Sequence, residues 1–216
     1  MPQTTLAVEH LHAWQDTQHF LRGISFAARQ GEMVCLLNPC SHTRRRLMHS
    51  LIGLDTKREG SVRIHNTETL HFSLDRLSQL GLSYCSKRTG ILPNLSSEEN
   101  LLLQHNQHFG SGMPLNEIYD LVPSLRTHKD LPALHLPVGV SHLLCMAKAL
   151  RHGADLLVIR DLLLAMTPHI AQQALSLLHT LKARGYTLIL SHSSSDHISN
   201  LADQQYLFVD GQLHGA

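Results

Sequence analysis

GEMVCLLNPCSHTRRRLMHSLIGLDTKREGS, residues 31–61, is the stretch that decides the fold of this chain. After a Gly-Glu turn, the apolar run 33–37 predicts a buried strand. A short polar loop follows, and then Leu47, Leu51 and Leu54 recur at helical spacing. The order of strand, loop and helix is the frame of a phosphate-binding loop.

The loop lacks most of the groups that a phosphate chain needs. Such loops use glycines at positive φ to aim N–H groups at the phosphates, a lysine for the outer phosphate oxygens, and a Ser or Thr hydroxyl for Mg²⁺. The corresponding positions hold Asn38, Ser41, Thr43, Arg44, Arg45 and Arg46. We therefore expect a degenerate loop, in which an arginine replaces part of the lysine's role at best.

Length and composition are typical of one globular domain. The chain has 216 residues, of which 43% are hydrophobic and 16% charged, and its formal net charge is +1. A net charge this close to zero predicts no nucleic-acid partner. The longest apolar runs of the chain are too short to cross a bilayer. The start, MPQTTLAVEH, has neither a basic segment nor an apolar core, so we expect no secretory signal and a cytoplasmic protein.

Apolar strands alternate with helical patterns along the chain, which predicts an α/β fold. The predicted strands lie near residues 23–27, 33–37, 82–84, 156–159, 187–191 and 205–209. Between about 96 and 151 the pattern is helical but interrupted by glycines and prolines. We expect one domain, residues 1–216, that contains this helical stretch.

Several longer segments occur in an order and spacing that point to a known family. They are LRGISFAARQGEMVCLL (21–37), LIGLDTKREGSV (51–62), ILPNLSSEENLLL (91–103), IYDLVPSL (118–125), TLILSH (187–192) and LADQQYLFVDGQL (201–213). With them the chain resembles the ATP-binding subunits of ABC transporters, most closely those of branched-chain amino acid and urea importers. The resemblance implies a P-loop NTPase-like nucleotide-binding domain with a RecA-like core and a small helical subdomain at roughly 96–151.

The same resemblance implies partners and a location. Such subunits act with an ABC permease and with a second ATP-binding subunit or a second copy of themselves. We therefore expect a cytoplasmic protein that lies on the inner face of the plasma membrane through its partner.

The Walker B motif departs from the family pattern. Its strand, LLVI at 156–159, is followed by Arg160 at the position of the aspartate that holds Mg²⁺ and by Asp161 at that of the glutamate that orients water. Arginine cannot ligate Mg²⁺, and its charge lies where the dication belongs. Asp161 is the family's catalytic position, but we expect it to pair with Arg160 or with a loop arginine.

The signature and glutamine-loop motifs are also altered. In LPVGVS (136–141), Leu136 and Gly139 survive, whereas Pro137 replaces a serine and removes a hydroxyl and an N–H. Lys87 stands at the glutamine position. The cations that we expect around one cavity are Arg44, Arg45, Arg46, Lys87 and Arg160.

Two of the family's familiar contacts remain. His192, in LSH at the end of a strand, matches the switch histidine, and Trp14 falls near the aromatic residue that stacks on adenine. A lone His or Trp is more often structural than catalytic. Without an intact loop we expect both side chains to act mainly in packing.

Cysteine and histidine usage predicts no metal site. The cysteines, Cys35, Cys40, Cys85 and Cys145, include no CxxC pair, so we expect reduced and mostly buried thiols. Cys40 lies beside arginines that can lower its pKa, although a plain loop thiol is the simpler interpretation. Among the 18 histidines, the pairs whose spacing resembles metal ligands are His105 with His108 and His192 with His197. Neither pair lies in a metal motif, and we expect surface histidines.

Three functional hypotheses follow. The first is a pseudo-ATPase with a scaffold or regulatory role in a transporter complex, which needs no cofactor. The alternative is a working ATPase that uses ATP and Mg²⁺ to import branched-chain amino acids, urea or a related small solute. The third is an anion or nucleic-acid binder that uses SHTRRRLMH (41–49), for which salt-sensitive binding is the discriminating sign.

Overall fold

The computed structural model describes residues 3–54, 57–87, 89–103, 112–194 and 198–216. Its strands are β1 (Thr4–Gln15), β2 (Gln18–Arg29), β3 (Met33–Leu37), β4 (Lys57–Ile64), β5 (Thr67–Glu68), β6 (Leu82–Cys85), β7 (Leu156–Arg160), β8 (Thr187–His192), β9 (Gln204–Val209) and β10 (Gln212–Gly215). Its helices are α1 (Ser41–Ile52), α2 (Leu74–Ser78), α3 (Ser97–Leu102), α4 (Leu115–Leu121), α5 (Pro123–Thr127), α6 (Val138–Arg151), α7 (Pro168–Ala183) and a 3₁₀ turn (Ala133–His135). The predicted α/β class is confirmed.

The predicted strands form one six-stranded sheet with the order β10-β9-β3-β8-β7-β6. The pairs from β9 through to β6 are parallel, and β10 runs antiparallel to β9. Side chains alternate between the two faces. In β3, Val34 and Leu36 join one hydrophobic cluster, whereas Met33, Cys35 and Leu37 join another. Both faces are buried, which explains why the strand reads as a continuous apolar run.

A second, antiparallel sheet has the order β2-β1-β4-β5. It packs with α1 on one face of the parallel sheet, where Leu6, Val8 and Val62 meet Leu47 and Met48. Sequence analysis predicted only residues 23–27 of this sheet. The long strand β1 contains register shifts against both of its neighbours, so its apolar residues do not alternate regularly and give no clear strand signal.

Helix α1 is shorter than its leucine pattern predicts. Gly53 adopts a left-handed conformation, with φ of 76°, and its N–H donates to the His49 carbonyl, which ends the helix. Leu54 therefore lies beyond the helix, as a correction to the sequence pattern. The buried Arg58 donates to the Ser50 and Leu51 carbonyl oxygens at 3.2 and 3.0 Å, so it satisfies carbonyls of the last turn.

Helices α3 to α6 lie within the stretch where a helical subdomain is predicted. Helix α3 begins with a capping box between Ser96 and Glu99. The buried Asn100 side chain accepts from the Leu92 N–H at 2.8 Å and donates to the Leu92 carbonyl at 2.9 Å, which fixes the loop before the helix. The division into core and subdomain, and the single-domain range 1–216, stay predictions.

In the described ranges, no helix is both long enough and apolar enough to cross a membrane.

Candidate functional site

The candidate site lies where β3, β7 and β8 end together at one edge of the six-stranded sheet. In the register of these strands Leu37 pairs with His192, and Arg160 pairs with Ser191. The loop at residues 38–40, which connects β3 to α1, therefore faces the ends of β7 and β8.

The N–H groups of this loop are already used inside the protein. The Asn38 N–H donates to the His192 carbonyl oxygen at 3.1 Å, and the Cys40 N–H donates to Asn38 Oδ1 at 2.9 Å. Pro39 has no N–H. The Asn38 side-chain amide also donates to the Phe208 carbonyl at 2.8 Å, which holds the other end of the side chain. Residues 38–40 thus offer no free backbone N–H to an anion.

The guanidinium of Arg44 fills the inside of the loop. Its Nη1 donates to the carbonyl oxygens of Asn38 and Pro39 at 2.6 and 2.9 Å, and its Nε donates to Asp161 Oδ1. The Arg44 side chain is only 3% exposed. An anion-binding nest turns N–H groups inward. This loop turns two carbonyl oxygens inward onto a cation, so its polarity is reversed.

Asp161 is held at the end of β7 in a left-handed backbone conformation, with φ of 56°. Its N–H donates to the Ser191 carbonyl at 3.0 Å, and its side chain is buried. Its Oδ2 lies 3.9 Å from Arg160 Nε, a weaker contact than the one with Arg44. Sequence analysis predicts a pairing with Arg160 or with a loop arginine, and the closer partner is Arg44.

The structure separates one of the five predicted cations from the others. Arg44 and Arg160 flank Asp161, and Arg160 and Lys87 both act on the buried His142. Arg46 lies on another side of α1, where it lines a separate cavity, because successive residues of an α-helix point about 100° apart around its axis. A basic cavity shared by the other four cations stays a prediction.

That separate cavity is open, has a volume of about 640 Å³ and lies between β2, the loop and β9. The Arg46 guanidinium stacks over the Phe20 ring, 4.1 Å from its centroid. Thr43 and Arg22 also line the cavity, and Asp210 contributes a carboxylate. Two guanidinium groups against one carboxylate make the cavity basic.

Trp14 has partners within the protein. Its ring stacks on His19 with centroids 4.5 Å apart and planes 8° from parallel. The Lys57 ammonium lies 5.2 Å from the Trp14 ring centroid, and His12 Nδ1 lies 3.0 Å from His19 Nε2. This stack gives Trp14 a structural role, while a contact with adenine stays a prediction.

His192 is the last residue of β8 and its side chain is buried. Its Nδ1 lies 2.9 Å from the Ser194 carbonyl oxygen, so Nδ1 carries the hydrogen and donates. The backbone of His192 also anchors the loop through Asn38. The structure therefore places His192 beside the candidate site, as the LSH pattern predicts.

Leu136 and Gly139, which sequence analysis assigns to a signature remnant, pack inside the protein. Leu136 is buried in the core that α6 shares with its neighbours. Gly139 lies in the first turn of α6, where a Cβ atom would approach the Ile170 side chain to 2.8 Å and the Met166 side chain to 2.9 Å. The helix begins after Pro137 without a side-chain cap. A glycine at position 139 is thus explained without a phosphate.

The loop thiol and the first residues of α1 face solvent. Cys40 is exposed, and its pKa is lowered chiefly by a hydrogen bond with the Thr43 side chain, with smaller contributions from the His42 backbone and from Arg44. Sequence analysis also expects a lowered pKa for Cys40, but the Thr43 hydroxyl lowers it more than the arginines do. Ser41, the first residue of α1, is exposed.

Sequence analysis missed His142. It lies on α6, it is 2% exposed, and neither of its ring nitrogens has a hydrogen-bond partner among the described residues. Burial lowers the pKa of His142 to about 4; Asp161 opposes this shift, while Arg160 and Lys87 add to it. The signal in the sequence was a single histidine within the apolar run of α6.

His105, His108 and His197, which sequence analysis noted for their spacing, lie outside the described residues. Over the ranges that the structure describes, no group of three or more His, Cys, Asp or Glu side chains could hold a metal ion.

No protein-family model matches this chain. The high-affinity branched-chain amino acid transport ATP-binding protein BraG of Pseudomonas aeruginosa is 22% identical over 195 residues, which are 89% of this chain and 84% of BraG. Among solved structures, the ADP conformation of MJ1267, an ATP-binding cassette of an ABC transporter, matches with a TM-score of 0.81. That match covers 98% of this chain and 90% of MJ1267, at 19% identity. The fold is that of an ABC ATP-binding cassette.

The dimeric structure of MJ0796, a bacterial ABC transporter cassette, matches this chain with a TM-score of 0.77. The match covers 97% of this chain and 96% of MJ0796, at 14% identity. At such identities the likeness establishes the fold of the chain and leaves its chemistry to be argued from its own residues.

Proposed function

We propose that this cassette is a subunit of an ABC transporter complex that does not hydrolyse ATP and acts as a scaffold or regulatory subunit. The observation that supports the proposal is the Arg44 guanidinium inside the loop, bound to two loop carbonyl oxygens and to Asp161. Those groups occupy the place that a phosphate chain needs.

The residues present do not fit ATP with Mg²⁺ in this loop. A phosphate chain there would have to displace Arg44 from its acceptors, and the N–H groups of Asn38 and Cys40 would have to leave their own partners. A dication would lie next to the guanidinium of Arg160, which cannot ligate it.

The expected loss of activity is large. Removing one electrostatic transition-state contact commonly costs a factor of about 10² to 10³ in rate. Such losses are not additive for groups that act together. Even so, we expect any residual turnover to be close to background.

The partners that we propose are an ABC permease and a second cassette, with a location at the inner face of the plasma membrane through the permease. BraG, whose name places it in branched-chain amino acid transport, supports an importer of that type. The dimeric MJ0796 cassette supports pairing with a second cassette.

A second candidate function is a working ATPase in the same kind of importer. The observation that favours it is the basic cavity of about 640 Å³ beside the loop, which Thr43 and Arg46 line. A phosphorylated ligand that entered this cavity would meet guanidinium groups, which bind phosphate well.

Calorimetric titration of the purified chain with ATP, with and without Mg²⁺, tests the choice. We expect no binding to the natural chain at micromolar ATP. A restored variant, Asn38→Gly, Ser41→Gly, Thr43→Gly, Arg44→Lys, Arg45→Thr, Arg160→Asp and Asp161→Glu, returns the glycines, the lysine and the hydroxyl, adds a carboxylate at position 160 and lengthens the one at position 161. We expect it to bind Mg-ATP.

The matched control carries the five loop changes and keeps Arg160 and Asp161. Mg²⁺ should raise the affinity of this control for ATP less than it raises that of the fully restored variant, because a guanidinium still lies at the position of the dication. Micromolar binding of Mg-ATP by the natural chain would overturn the proposal and favour the working ATPase. A restored variant that folds, as judged by circular dichroism, yet binds nothing would show that the loop is not the cause.

A further inference from the structure

Two cysteines far apart in the sequence meet between the parallel sheet and α6. Cys85 ends β6 and Cys145 lies in the middle of α6, and they are 1% and 4% exposed. Cys85 Sγ lies 4.0 Å from the Cys145 carbonyl oxygen, which places the two side chains next to each other.

The surroundings make the two thiols unequal. The neighbouring Cys85 thiol lowers the pKa of Cys145, an effect that burial opposes and the Lys148 ammonium assists. The neighbouring Cys145, together with burial, raises the pKa of Cys85. Lys148 follows Cys145 by three residues on α6 and so lies on the same side of the helix, where its ammonium favours a thiolate at Cys145. A thiolate is the reactive form of cysteine.

A groove of about 290 Å³ connects the pair to the surface. Cys85, Cys145, Thr89 and Lys148 all line it. Cys35, by contrast, is fully buried, and burial raises the pKa of its thiol to about 12. A small molecule that enters the groove thus meets the more acidic thiol of the pair and not Cys35.

We propose that Cys85 and Cys145 form a redox-active dithiol, which a hydroperoxide converts to a disulfide. The Cys145 thiolate sulfur attacks the peroxide, the O–O bond breaks, and Cys145 becomes a sulfenic acid. The leaving oxygen takes up the proton that the Cys145 thiol gave up and departs as water or alcohol. The Cys85 sulfur then attacks the Cys145 sulfur. The S–S bond forms, the S–O bond breaks, and the hydroxide takes the Cys85 proton and leaves as water. The two thiols lose two electrons, which reduce the peroxide.

Oxidation would change how the segment after β6 is held. In the reduced protein Cys145 Sγ donates to the Thr89 carbonyl at 3.2 Å, and Lys148 Nζ donates to the Gly90 carbonyl at 2.5 Å. A disulfide removes the thiol hydrogen and therefore the first of these bonds, while it ties the end of β6 covalently to α6. The inference does not depend on whether the cassette binds nucleotide.

The test treats the full chain with stoichiometric hydrogen peroxide and maps its peptides by mass spectrometry without reduction. We expect a linked pair of peptides that contains Cys85 and Cys145, with the loss of two hydrogens, and reversal by a dithiol reductant. Cys85→Ser should stop the reaction at the sulfenic acid of Cys145, which dimedone traps. Cys145→Ser should leave Cys85 unreacted at the same dose.

The matched control is Cys40→Ser, which removes the exposed thiol and should leave the linked peptides unchanged. Oxidation confined to Cys40, with no Cys85–Cys145 link in the natural chain, would overturn the proposal. Dimedone labelling of Cys85 in Cys145→Ser as fast as that of Cys145 in Cys85→Ser would overturn the assigned roles. Circular dichroism checks that each variant folds, and the alanine variants replace any serine variant that does not.

Discussion

At the scale of single residues, the buried pair of Arg44 and Asp161 is the contact on which the loop depends. Breaking a buried ion pair by removing one partner typically costs about 3 to 5 kcal/mol, because the other charge stays buried without compensation. Asp161→Asn should therefore lower the free energy of unfolding by about that amount, as measured by urea denaturation. The remaining acceptors of Arg44, the Asn38 and Pro39 carbonyls, carry no full charge.

The control for this variant is Asp120→Asn. Asp120 accepts from Arg126 at 2.8 Å, but the side chains are 69% and 55% exposed. Exposed pairs contribute about 0 to 1 kcal/mol, so the control should change stability little. Equal effects of the two variants would mean that the Arg44 contact does not stabilise the loop.

His142 predicts a specific dependence of stability on pH. Its pKa in the folded protein is about 4, below the ordinary value of 6.5, so the unfolded chain takes up the proton first as the pH falls. Its contribution to stability is complete above pH 6.5 and is lost between 6.5 and 4, by about 3 kcal/mol in total.

The measurement compares urea unfolding of the natural chain and of His142→Gln over that pH range. The natural chain should lose more stability than the variant as the pH falls. The exposed His71 gives the control, His71→Gln, which should follow the natural chain. Parallel curves for the natural chain and His142→Gln would contradict the assignment.

Sequence reasoning anticipated that Asp161 pairs with a loop arginine, but not the way the loop turns its peptide groups. The sequence gives the charge of each side chain, whereas the direction of the Asn38 and Pro39 carbonyls depends on backbone dihedral angles that residue types alone do not determine. The separation of Arg46 from Arg44 was predictable from helical geometry and was overlooked.

At the scale of elements, the parallel strands were the easiest to predict, because both faces of β3, β7 and β8 are buried and each strand contains an uninterrupted apolar run. The antiparallel strands were not, since β1 contains bulges. Between Glu9 and His12 its register against β4 shifts, and His10 adopts a φ of 46°. Such irregularities hide the alternation that signals a strand.

The bulge in β1 depends on a glycine in β4. Gly60 has a φ of 114°, and a Cβ atom there would clash with the His10 carbonyl oxygen. Gly60→Ala should therefore destabilise the protein by more than about 2 kcal/mol, from backbone strain and from the clash together. Thermal unfolding measures the effect.

Gly215→Ala is the matched control, since a Cβ atom at Gly215 meets nothing within 4 Å and its φ lies outside the left-handed region. It should change stability by less than about 0.5 kcal/mol. A Gly60→Ala variant as stable as this control would show that the bulge can rearrange at little cost.

At the scale of the whole molecule, the order of the family-like segments predicted the fold. The match to MJ1267, which covers 98% of this chain, confirms that prediction. Assembly is less predictable, because it depends on contacts between chains. Sequence analysis assigns Pro137 to the place of a signature serine that would contact phosphate across a dimer, and the start of α6 carries no side-chain cap.

We therefore expect that ATP with Mg²⁺ does not drive this chain to dimerise with itself. Sedimentation velocity of the purified chain should give the same mass with and without the nucleotide. The mass of the restored variant of Proposed function is measured in the same way. That variant changes the loop and residues 160 and 161 but keeps Pro137, so it tests whether the loop alone prevents dimerisation. A nucleotide-dependent doubling of the mass of the natural chain would contradict both this expectation and the proposed lack of nucleotide binding.

The partners Arg44 and Asp161 come from segments 117 residues apart, and this spacing bears on what gives the loop its shape. A mutation that removes the charge of either partner leaves the other as a buried charge without compensation. The contact that holds the loop is therefore supplied from outside the strand-loop-helix unit of residues 31–61, which contains Arg44 but not Asp161. A peptide of those residues alone would lack the carboxylate that Arg44 binds, so the shape of the loop belongs to the assembled sheet and not to the local sequence.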